Sequence, residues 1–333
     1  MILECQMRYF TLLLFFLIFI SVTTVQAALS DEIVVGFVRT AEETYPNEWT
    51  FSDNIAEMLK KLGATVILLD YNTIVDFKAI KSQSLEEAKN DISLLEKIES
   101  DKIQKAVLSF IEQNKINRIF IPGNYYNVDT EPYPPTPNRQ LITNAIVKIV
   151  ADNPKIHLIG VCGGLQGIMH AVGVEVIRVK KIVKSKEAIA AHSISMPDPH
   201  KKDVGLHRLR VAPGSRLSSI VSKYIRPDDN GWISIYFPDA HGGVVNNSIE
   251  NIKKIESLGY KIVGFSDDGI IEVIEDKNGN ILFQDHPEAL AINAVKLFKE
   301  EEHDQQDSVN KNTKKHEATL SALAIINDFL YRK

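Results

Sequence analysis

The sequence predicts an α/β protein with a mostly parallel sheet sandwiched by helices. Two observations lead to this prediction. Short, continuous apolar runs alternate with longer amphipathic segments, which is typical of buried parallel strands joined by helices. The composition is also that of an ordinary globular protein, with 44% hydrophobic and 24% charged residues in a chain of 333. A chain of this length accommodates one large α/β domain or two smaller ones.

The predicted elements follow one another from residue 33 onward. Apolar runs predict strands at 33–38, 64–70 and 156–161, and a further strand entering a turn at 117–123. Amphipathic patterns predict helices around 55–59, one or two helices within 84–114, and further helices at 139–151 and 165–171. Beyond residue 174 the pattern predicts shorter strands and turns, ending in a hairpin of 270–274 and 281–283 around an Asn-Gly turn.

Two segments outside this regular pattern have a composition of their own. Residues 125–137 are rich in proline and tyrosine, which predicts a long loop, and long loops in compact domains are often functional. Residues 299–317 are dense in charge and predict a linker. Residues 318–331 predict an amphipathic C-terminal helix, which we expect to dock on the same domain rather than bind a partner.

The N-terminal segment has the pattern of a secretory signal peptide. Arg8 precedes an apolar run at 10–20, and small residues follow up to Ala27. The run is shorter than the about 20 apolar residues that a bilayer span needs, although an uncleaved anchor remains the alternative. We therefore expect cleavage after Ala27, export to a periplasm or the medium, and no membrane span afterwards.

Removal of this segment would leave a single cysteine in the mature chain, Cys162, because Cys5 lies in the removed part. A lone thiol in an exported protein is either reactive or buried and inert. The net charge of −5 argues against a nucleic-acid partner.

The surroundings of Cys162 favour the reactive alternative. An apolar strand leads into Gly160-Val161-Cys162-Gly163-Gly164, and a helical segment leads out, which is the context of a nucleophile elbow. The tight turn requires small neighbours, and Gly160 and Gly164 meet that need. The helix N-terminus favours a thiolate, and the Gly163 N–H is available for a developing oxyanion. A glycine-rich phosphate loop is the weaker alternative, because its motifs are absent.

A candidate base and its orienting group lie about 120 residues further along the chain. In His286-Pro287-Glu288 the proline restricts the residue before it to extended geometry. Residues i and i+2 of an extended segment project to the same side, so we expect Glu288 to hold the His286 imidazole with its second nitrogen facing the sulfur. On its own, this tripeptide would be assigned to a surface loop.

A second oxyanion donor is expected at the end of the 117–123 strand. A backbone N–H of Gly123 or Asn124 would lie at the carboxyl edge of the sheet, where ligands of such sheets bind. A plain strand-ending turn is equally compatible with these residues.

No metal site and no cofactor are predicted. The nine histidines are scattered, and the pairs His192/His200 and His200/His207 lack a convincing framework of cysteines or carboxylates.

The pairing of Gly-x-Cys-x-Gly-x-Gln with Phe-Gln-x-His-Pro-Glu resembles the class I glutamine amidotransferase superfamily over roughly residues 33–295, and most closely its stand-alone γ-glutamyl hydrolases (peptidase family C26). The resemblance implies a flavodoxin-like α/β fold and attack by Cys162 on a γ-glutamyl amide through a thioester. His286 acts as base and then acid, and Glu288 orients it. It also implies that Gln166 and His241 line the substrate pocket.

Composition and the resemblance together divide the chain into a signal peptide at 1–27, a hydrolase domain at 28–298, and a charged linker with a C-terminal helix at 299–333. It implies a small-molecule γ-glutamyl substrate, and a homodimer is one option for assembly. Two alternatives stay open, a non-catalytic binding protein on the same fold and the glutaminase subunit of an amidotransferase. Export argues against the subunit, because its ATP-dependent partner would be cytoplasmic.

Several positions depart from the pattern of the superfamily. They lie where substrate would be held, and they are Asn124 in place of glycine, Asp239 in place of serine, Gly242-Gly243 in place of His-Gln, and Asp285 in place of an aromatic residue. Asn tolerates positive φ better than most residues, so Asn124 could keep the donor in place.

Overall fold

The computed structural model describes residues 32–40, 48–124, 137–192, 205–300 and 313–333. The predicted signal peptide, nearly all of the predicted loop at 125–137 and most of the predicted linker therefore lie outside the described residues. The features below belong to the unit that runs from Val34 to Lys333.

The strands are short, and four of those described are buried along their whole length. They are β1 (Val34–Val38), β2 (Thr65–Leu69), β3 (Arg118–Ile121), β4 (His157–Val161), β5 (Val176–Arg178), β6 (His207–Val211), β7 (Ile233–Phe237), β8 (Gly243–Val245), β9 (Tyr260–Ser266), β10 (Ile271–Asp276) and β11 (Ile281–Phe283).

The described helices alternate with the strands through the first half of the chain and are less regular in the second. They are α1 (Glu48–Lys61), α2 (Phe77–Ala88), α3 (Ile92–Gln113), α4 (Pro137–Asp152), α5 (Gly163–Ala171), α6 (Val179–Ile182), α7 (Lys186–Ala191), α8 (Arg216–Val221), α9 (Ile249–Ser257), α10 (Pro287–Glu300) and α11 (Thr313–Tyr331). Across the described ranges, none of these helices is both long and apolar enough to cross a bilayer.

Nine strands form one sheet in the order β2-β1-β3-β4-β11-β10-β9-β6-β7, and β5 pairs with β8 separately. The neighbours from β2 to β11 are parallel, whereas those from β11 to β7 are antiparallel. Within this sheet, β10 and β6 thus run opposite to the other seven strands. The predicted fold class is confirmed, and so is the predicted hairpin, which is β10 and β11.

Helices cover both faces of the sheet. On one face, buried side chains of α3, α4, α5 and α9 form a continuous core with residues of the sheet, including Val34 and Val38 of β1. On the other face, Phe37 packs against Phe120 with tilted rings at a centroid distance of 5.6 Å, and Phe120 meets Phe329 of α11 edge to face at 6.0 Å. The alternation along β1 is that of a strand buried on both sides.

The C-terminal helix begins earlier than the sequence predicted. It starts at Thr313 rather than at residue 318, and α10 extends to Glu300, so helix occupies both ends of the segment predicted as a linker. Charged residues are compatible with an exposed helical face, which is why charge density alone misassigned them. The helix docks on the domain, because Arg118 donates to the Phe329 and Leu330 carbonyl oxygens at 2.9 and 3.0 Å.

Candidate active site

Cys162 lies at the junction between β4 and α5, in a backbone conformation that is unfavourable for a residue with a side chain. Its φ is 50° and its ψ is −107°. A non-glycine residue in such a region costs about 1–3 kcal/mol and persists only where its surroundings impose it. Here the Cys162 N–H donates to the Phe283 carbonyl oxygen at 2.7 Å, and the Cys162 carbonyl oxygen accepts from the Gln166 N–H at 3.0 Å. These two hydrogen bonds, to Phe283 and from Gln166, hold the cysteine in the turn.

The glycines of the elbow are required by close packing. A β-carbon on Gly164 would lie 2.1 Å from the Ile121 carbonyl oxygen, which is part of a buried strand and has little freedom to move. A β-carbon on Gly160 would lie 2.6 Å from Ile168 Cδ1 and 3.1 Å from the Gly164 carbonyl carbon. The strand and the helix thus approach so closely that the turn between them needs residues without side chains.

His286 and Glu288 form a buried pair. His286 Nδ1 lies 2.8 Å from Glu288 Oε1, and the two residues are 2% and 0% exposed. Because a carboxylate accepts, Nδ1 is the donating nitrogen, and Nε2 is left without a hydrogen-bond partner in the described structure. The His286 N–H donates to the Pro238 carbonyl oxygen at 2.8 Å, which fixes the backbone of the base.

The contact between His286 and Glu288 arises in a different way from the one that the sequence predicted. The expectation of a fully extended His-Pro-Glu segment is wrong, because Pro287 begins α10 and Glu288 lies in its first turn. Proline suits the first position of a helix, and an acidic residue in the first turn is favoured by the helix dipole. The turn from β11 into the helix folds the carboxylate back onto the ring.

The thiol and the imidazole meet beside Gly123. A β-carbon on Gly123 would lie 3.2 Å from His286 Cε1 and 3.4 Å from Cys162 Cβ, so the end of β3 packs against both side chains. Burial alone lowers the pKa of His286, but the Glu288 carboxylate and the Cys162 sulfur outweigh it and raise the pKa well above its usual value. Cys162 is itself 5% exposed.

The predicted oxyanion residues are brought to the same place. A β-carbon on Gly163 would lie 2.0 Å from Asn124 Oδ1 and 3.1 Å from the Asn124 backbone nitrogen. Gly123, Asn124 and Gly163 therefore surround the elbow. Asn124 is not among the described non-glycine residues with positive φ, so its backbone does not draw on the tolerance of asparagine for that region. Its Oδ1 is buried without a hydrogen-bond partner.

Gln166 and His241 are held by internal partners. Gln166 Nε2 donates to the Gly243 carbonyl oxygen at 2.8 Å and to Gln284 Oε1 at 3.2 Å, whereas Gln166 Oε1 has no partner. His241 Nδ1 lies 3.1 Å from the same Gly243 oxygen, and its Nε2 lies 2.8 Å from Asp239 Oδ1. The pocket-lining roles of these two residues remain predictions.

A buried cluster of histidines and carboxylates adjoins the thiol, and the sequence did not predict it. One potential ligand atom from each of four residues lies within 4.8 Å of those of the others, and these residues are His192, His207, Asp239 and Glu272. The expectation that the pairs His192/His200 and His200/His207 lack a carboxylate framework did not foresee Asp239 and Glu272, which lie close to His192 and His207 although they are distant in sequence. His200 lies outside the described residues. The cluster lies close to Cys162, whose Sγ is 3.8 Å from the Ala240 carbonyl oxygen.

Burial and neighbouring charges shift the pKa values of the carboxyl groups in this region in opposite directions. Burial raises the pKa of Asp239, but His241, His192 and His207 outweigh it, so this pKa is lowered well below the ordinary value. Burial and the Asp239 charge raise the pKa of Glu272 well above its ordinary value, and they do the same for Asp285. Asp239 is therefore the ionised carboxylate of this region, and the three histidines contact it.

Comparisons with known proteins find similarity among solved structures alone. No protein-family model matches the chain, and no curated protein matches it at a significant level. A glutamine amidotransferase from Thermotoga maritima is 11% identical, with a TM-score of 0.46 over 90% of this chain and 99% of that one. The glutaminase domain of a Trypanosoma brucei CTPS with bound acivicin is 16% identical, with a TM-score of 0.46 over 89% and 93%.

A glutamine amidotransferase from Methylobacillus flagellatus is 12% identical, with a TM-score of 0.44 over 91% of this chain and 96% of that one. Similarity at TM-scores below 0.5 carries no argument about activity. The closer resemblance to γ-glutamyl hydrolases stays a prediction.

The elbow leads to a prediction about stability. Gly164→Ala should unfold the protein at a markedly lower denaturant concentration and cost more than about 3 kcal/mol, because the new methyl group meets a backbone oxygen in a packed sheet. The matched control is Gly167→Ala in the same helix, where the nearest atom to the new β-carbon is Gln140 Oε1 at 3.3 Å. The control should change the free energy of unfolding by less than about 1 kcal/mol. Equal effects in urea denaturation would contradict this account of the elbow.

Proposed function

We propose that this chain is an exported cysteine hydrolase that cleaves the γ-glutamyl amide bond of glutamine-like or other γ-glutamyl substrates through a thioester. The observation that carries the proposal is the meeting of Cys162 and His286 beside Gly123, with Glu288 bound to the far nitrogen of the imidazole. A nucleophile, a base and a group that orients the base are what covalent acyl transfer requires.

The first half of the reaction forms the thioester. His286 Nε2 first takes the thiol proton of Cys162 as base, and the resulting thiolate attacks the carbonyl carbon of the γ-glutamyl amide and forms the C–S bond. The His286 imidazolium gives its Nε2 proton to the amide nitrogen as the C–N bond breaks, and the amine leaves. The raised pKa of His286 supports this role, because the ring then carries the proton that the leaving amine needs.

In the second half of the reaction, His286 acts as the base that activates water. His286 Nε2 takes a proton from water, whose oxygen attacks the thioester carbonyl carbon. The C–S bond breaks, the sulfur departs as thiolate, and the γ-carboxylic acid of glutamate is released. Glu288 keeps the imidazole oriented through both halves and stabilises its charged form.

The negative oxygen formed in each half needs hydrogen-bond donors. The Gly163 N–H at the start of α5 and a backbone N–H of Gly123 or Asn124 are proposed to supply them. The absence of side chains at Gly123 and Gly163 supports this role, because a β-carbon at either position would enter the space between the elbow and β3.

One observation favours the non-catalytic alternative. The two side chains expected to line the pocket, Gln166 and His241, are hydrogen-bonded to internal partners. A protein on this fold that binds a ligand without turnover would show the same feature. The two functions differ in whether Cys162 forms a covalent bond with a glutamine-like compound.

The test is to incubate the full chain with a glutamine-analogue diazoketone and to locate the adduct by mass spectrometry. We expect one adduct, on Cys162, and slow release of ammonia from glutamine or of amine from a γ-glutamyl anilide. His286→Asn should slow labelling by about 100-fold or more, because the thiolate loses its partner. His170→Asn, in the last turn of α5, is the matched control and should label normally.

Iodoacetamide separates two ways in which this test can fail. Labelling of Cys162 by iodoacetamide and not by the glutamine analogue would contradict the γ-glutamyl substrate class while keeping a reactive thiol. Labelling by neither reagent, together with no turnover, would overturn the hydrolase and support the binding protein.

Export is a further part of the proposal, and it rests on the signal-like pattern of Arg8, the apolar run at 10–20 and Ala27. We expect the chain expressed in a bacterial host to be recovered outside the cytoplasm with an N-terminus near Ala28, as read by N-terminal sequencing. A full-length chain in the membrane fraction would support the uncleaved anchor, and a full-length cytoplasmic chain would overturn export.

A further inference from the structure

The histidine–carboxylate cluster beside the thiol is formed by parts of the chain that are far apart in sequence. His192 follows α7, His207 begins β6, Asp239 follows β7, and Glu272 lies in β10. The side chains of His192 and Asp239 are 0% exposed, that of Glu272 is 2% exposed and that of His207 is 20% exposed. The cluster is thus nearly closed to solvent, with His207 at its outer side.

Asp239 is the centre of this cluster. Its Oδ2 lies 2.8 Å from His192 Nδ1 and 2.8 Å from His207 Nδ1, and the two rings are edge to face with centroids 4.6 Å apart. One carboxylate oxygen therefore faces two imidazole nitrogens. The nitrogen and oxygen atoms that converge here are of the donor types that Zn²⁺ binds.

The burial of Glu272 without hydrogen-bond partners is not explained by protonation of the neighbouring groups. Glu272 is 1% exposed, and neither of its carboxyl oxygens has a hydrogen-bond partner. Both oxygens face the cluster, with Oε1 at 3.7 Å from His192 Nδ1 and Oε2 at 3.9 Å from His241 Nε2. A buried carboxyl group without partners is costly, so this position points to a cationic ligand. Protonated histidines would balance the charge of Asp239, and a protonated Glu272 would be neutral, but in both cases the Glu272 oxygens would still have no hydrogen-bond partner.

The surroundings of His192 have the form that metal-binding histidines show. Its Nε2 lies 2.9 Å from Asp268 Oδ2, and the other oxygen of Asp268 accepts from the Ser266 hydroxyl at 2.5 Å. With Nε2–H donated to Asp268, Nδ1 faces the cluster and is the nitrogen that would give up its proton to bind a metal ion. Metal-ligating histidines almost always donate their other N–H to a carboxylate, carbonyl or water in this way.

We propose that His192, His207, Asp239 and Glu272 bind one divalent transition-metal ion, with Zn²⁺ as the ion they fit best. Two imidazole nitrogens and two carboxylate oxygens match the preferred donors and the tetrahedral number of Zn²⁺. Two neutral imidazoles and two carboxylates also balance its two charges. Mg²⁺ and Ca²⁺ fit less well, since they favour all-oxygen sites.

The spacing of the ligand atoms is compatible with this ion. Tetrahedral zinc bonds of about 2.0–2.2 Å place neighbouring ligand atoms about 3.3–3.6 Å apart. The separations in the cluster include 2.8 Å between His192 Nδ1 and Asp239 Oδ2 and 3.7 Å between His192 Nδ1 and Glu272 Oε1. All four ligand atoms lie within 4.8 Å of one another, so side-chain adjustments without a change of fold would bring them to these separations.

The metal would join four elements of the antiparallel half of the molecule at one point. Asp239 directly precedes Ala240, whose carbonyl oxygen contacts the Cys162 sulfur at 3.8 Å. The ion would therefore fix the wall of the candidate active site, and it takes no part in the proposed amide hydrolysis. The two proposals stand or fall separately.

The test uses the full chain, stripped of metal with a chelator, and ZnCl₂ as the probe in isothermal titration calorimetry. We expect one Zn²⁺ per chain and a rise in the melting temperature on binding. Glu272→Gln and His207→Ala should each weaken binding by at least about tenfold, and Asp268→Asn by about 10–100-fold. Glu272→Gln preserves the shape of the side chain, and circular dichroism checks that each variant is folded.

Two controls exclude other zinc ligands. Cys162→Ala should bind Zn²⁺ with unchanged affinity, and so should His316→Ala, which removes an exposed histidine on α11. Co²⁺ in place of Zn²⁺ should give the visible absorption of a tetrahedral nitrogen–oxygen site without a thiolate charge-transfer band.

Three results would overturn the proposal. The first is the absence of stoichiometric Zn²⁺ binding to the wild-type chain. The second is binding that survives Glu272→Gln and His207→Ala unchanged, and the third is binding that is lost in Cys162→Ala. In the last case the thiolate, rather than the cluster, would be the zinc ligand.

Discussion

The backbone of Cys162 is the constraint on which the rest of the candidate site depends. A positive φ at this residue turns the chain from β4 directly into α5, which keeps the sulfur at the carboxyl edge of the parallel strands. The turn is possible because Gly160 and Gly164 have no side chains where strand and helix touch. It is held by the hydrogen bond from Cys162 N–H to Phe283, in the strand that leads towards His286. The same contact therefore imposes the strain and aligns the base with the sulfur.

The two halves of the sheet contribute different parts of the site. The parallel half supplies the elbow after β4, the glycine edge after β3, and the base after β11. The antiparallel half supplies the buried cluster around Asp239, which adjoins the sulfur through Ala240. The nucleophile on its strained turn thus lies beside a wall of buried charged groups. The carboxylates of this wall need positive charge nearby to balance them. The proposed metal ion is one way to provide that balance.

Most of the fold could be predicted from the sequence because buried strands and amphipathic helices leave local periodic patterns. The elbow could also be predicted from the sequence, because the glycine requirement and the strand–turn–helix order are local features. Glu288 was paired with His286 correctly, although the extended geometry invoked for the pair is replaced by the first turn of α10. Proline is compatible with both conformations, so the local sequence does not choose between them.

The cluster could not be predicted because its members are distant in sequence. His192 and Asp239 are 47 residues apart, and His192 and Asp268 are 76 apart. Their meeting depends on the pairing of β6, β9 and β10, which no short motif encodes. The internal partners of Gln166 have the same origin, since Gly243 and Gln284 come from separate strands. One signal was present in the sequence, the acidic residue at position 239 close to His241, but its partners were not recognisable.

The most direct test of the central claim is the titration of the His286 imidazole by NMR in the wild-type chain, in Glu288→Gln and in Cys162→Ser. A buried histidine without charged partners titrates below the usual value of about 6.5, whereas a carboxylate and a sulfur in contact with it raise the pKa. The account predicts a wild-type pKa above the usual value, a large decrease in Glu288→Gln and a smaller decrease in Cys162→Ser. Titration of all three proteins at the same pH, or a wild-type pKa below the usual value, would contradict it.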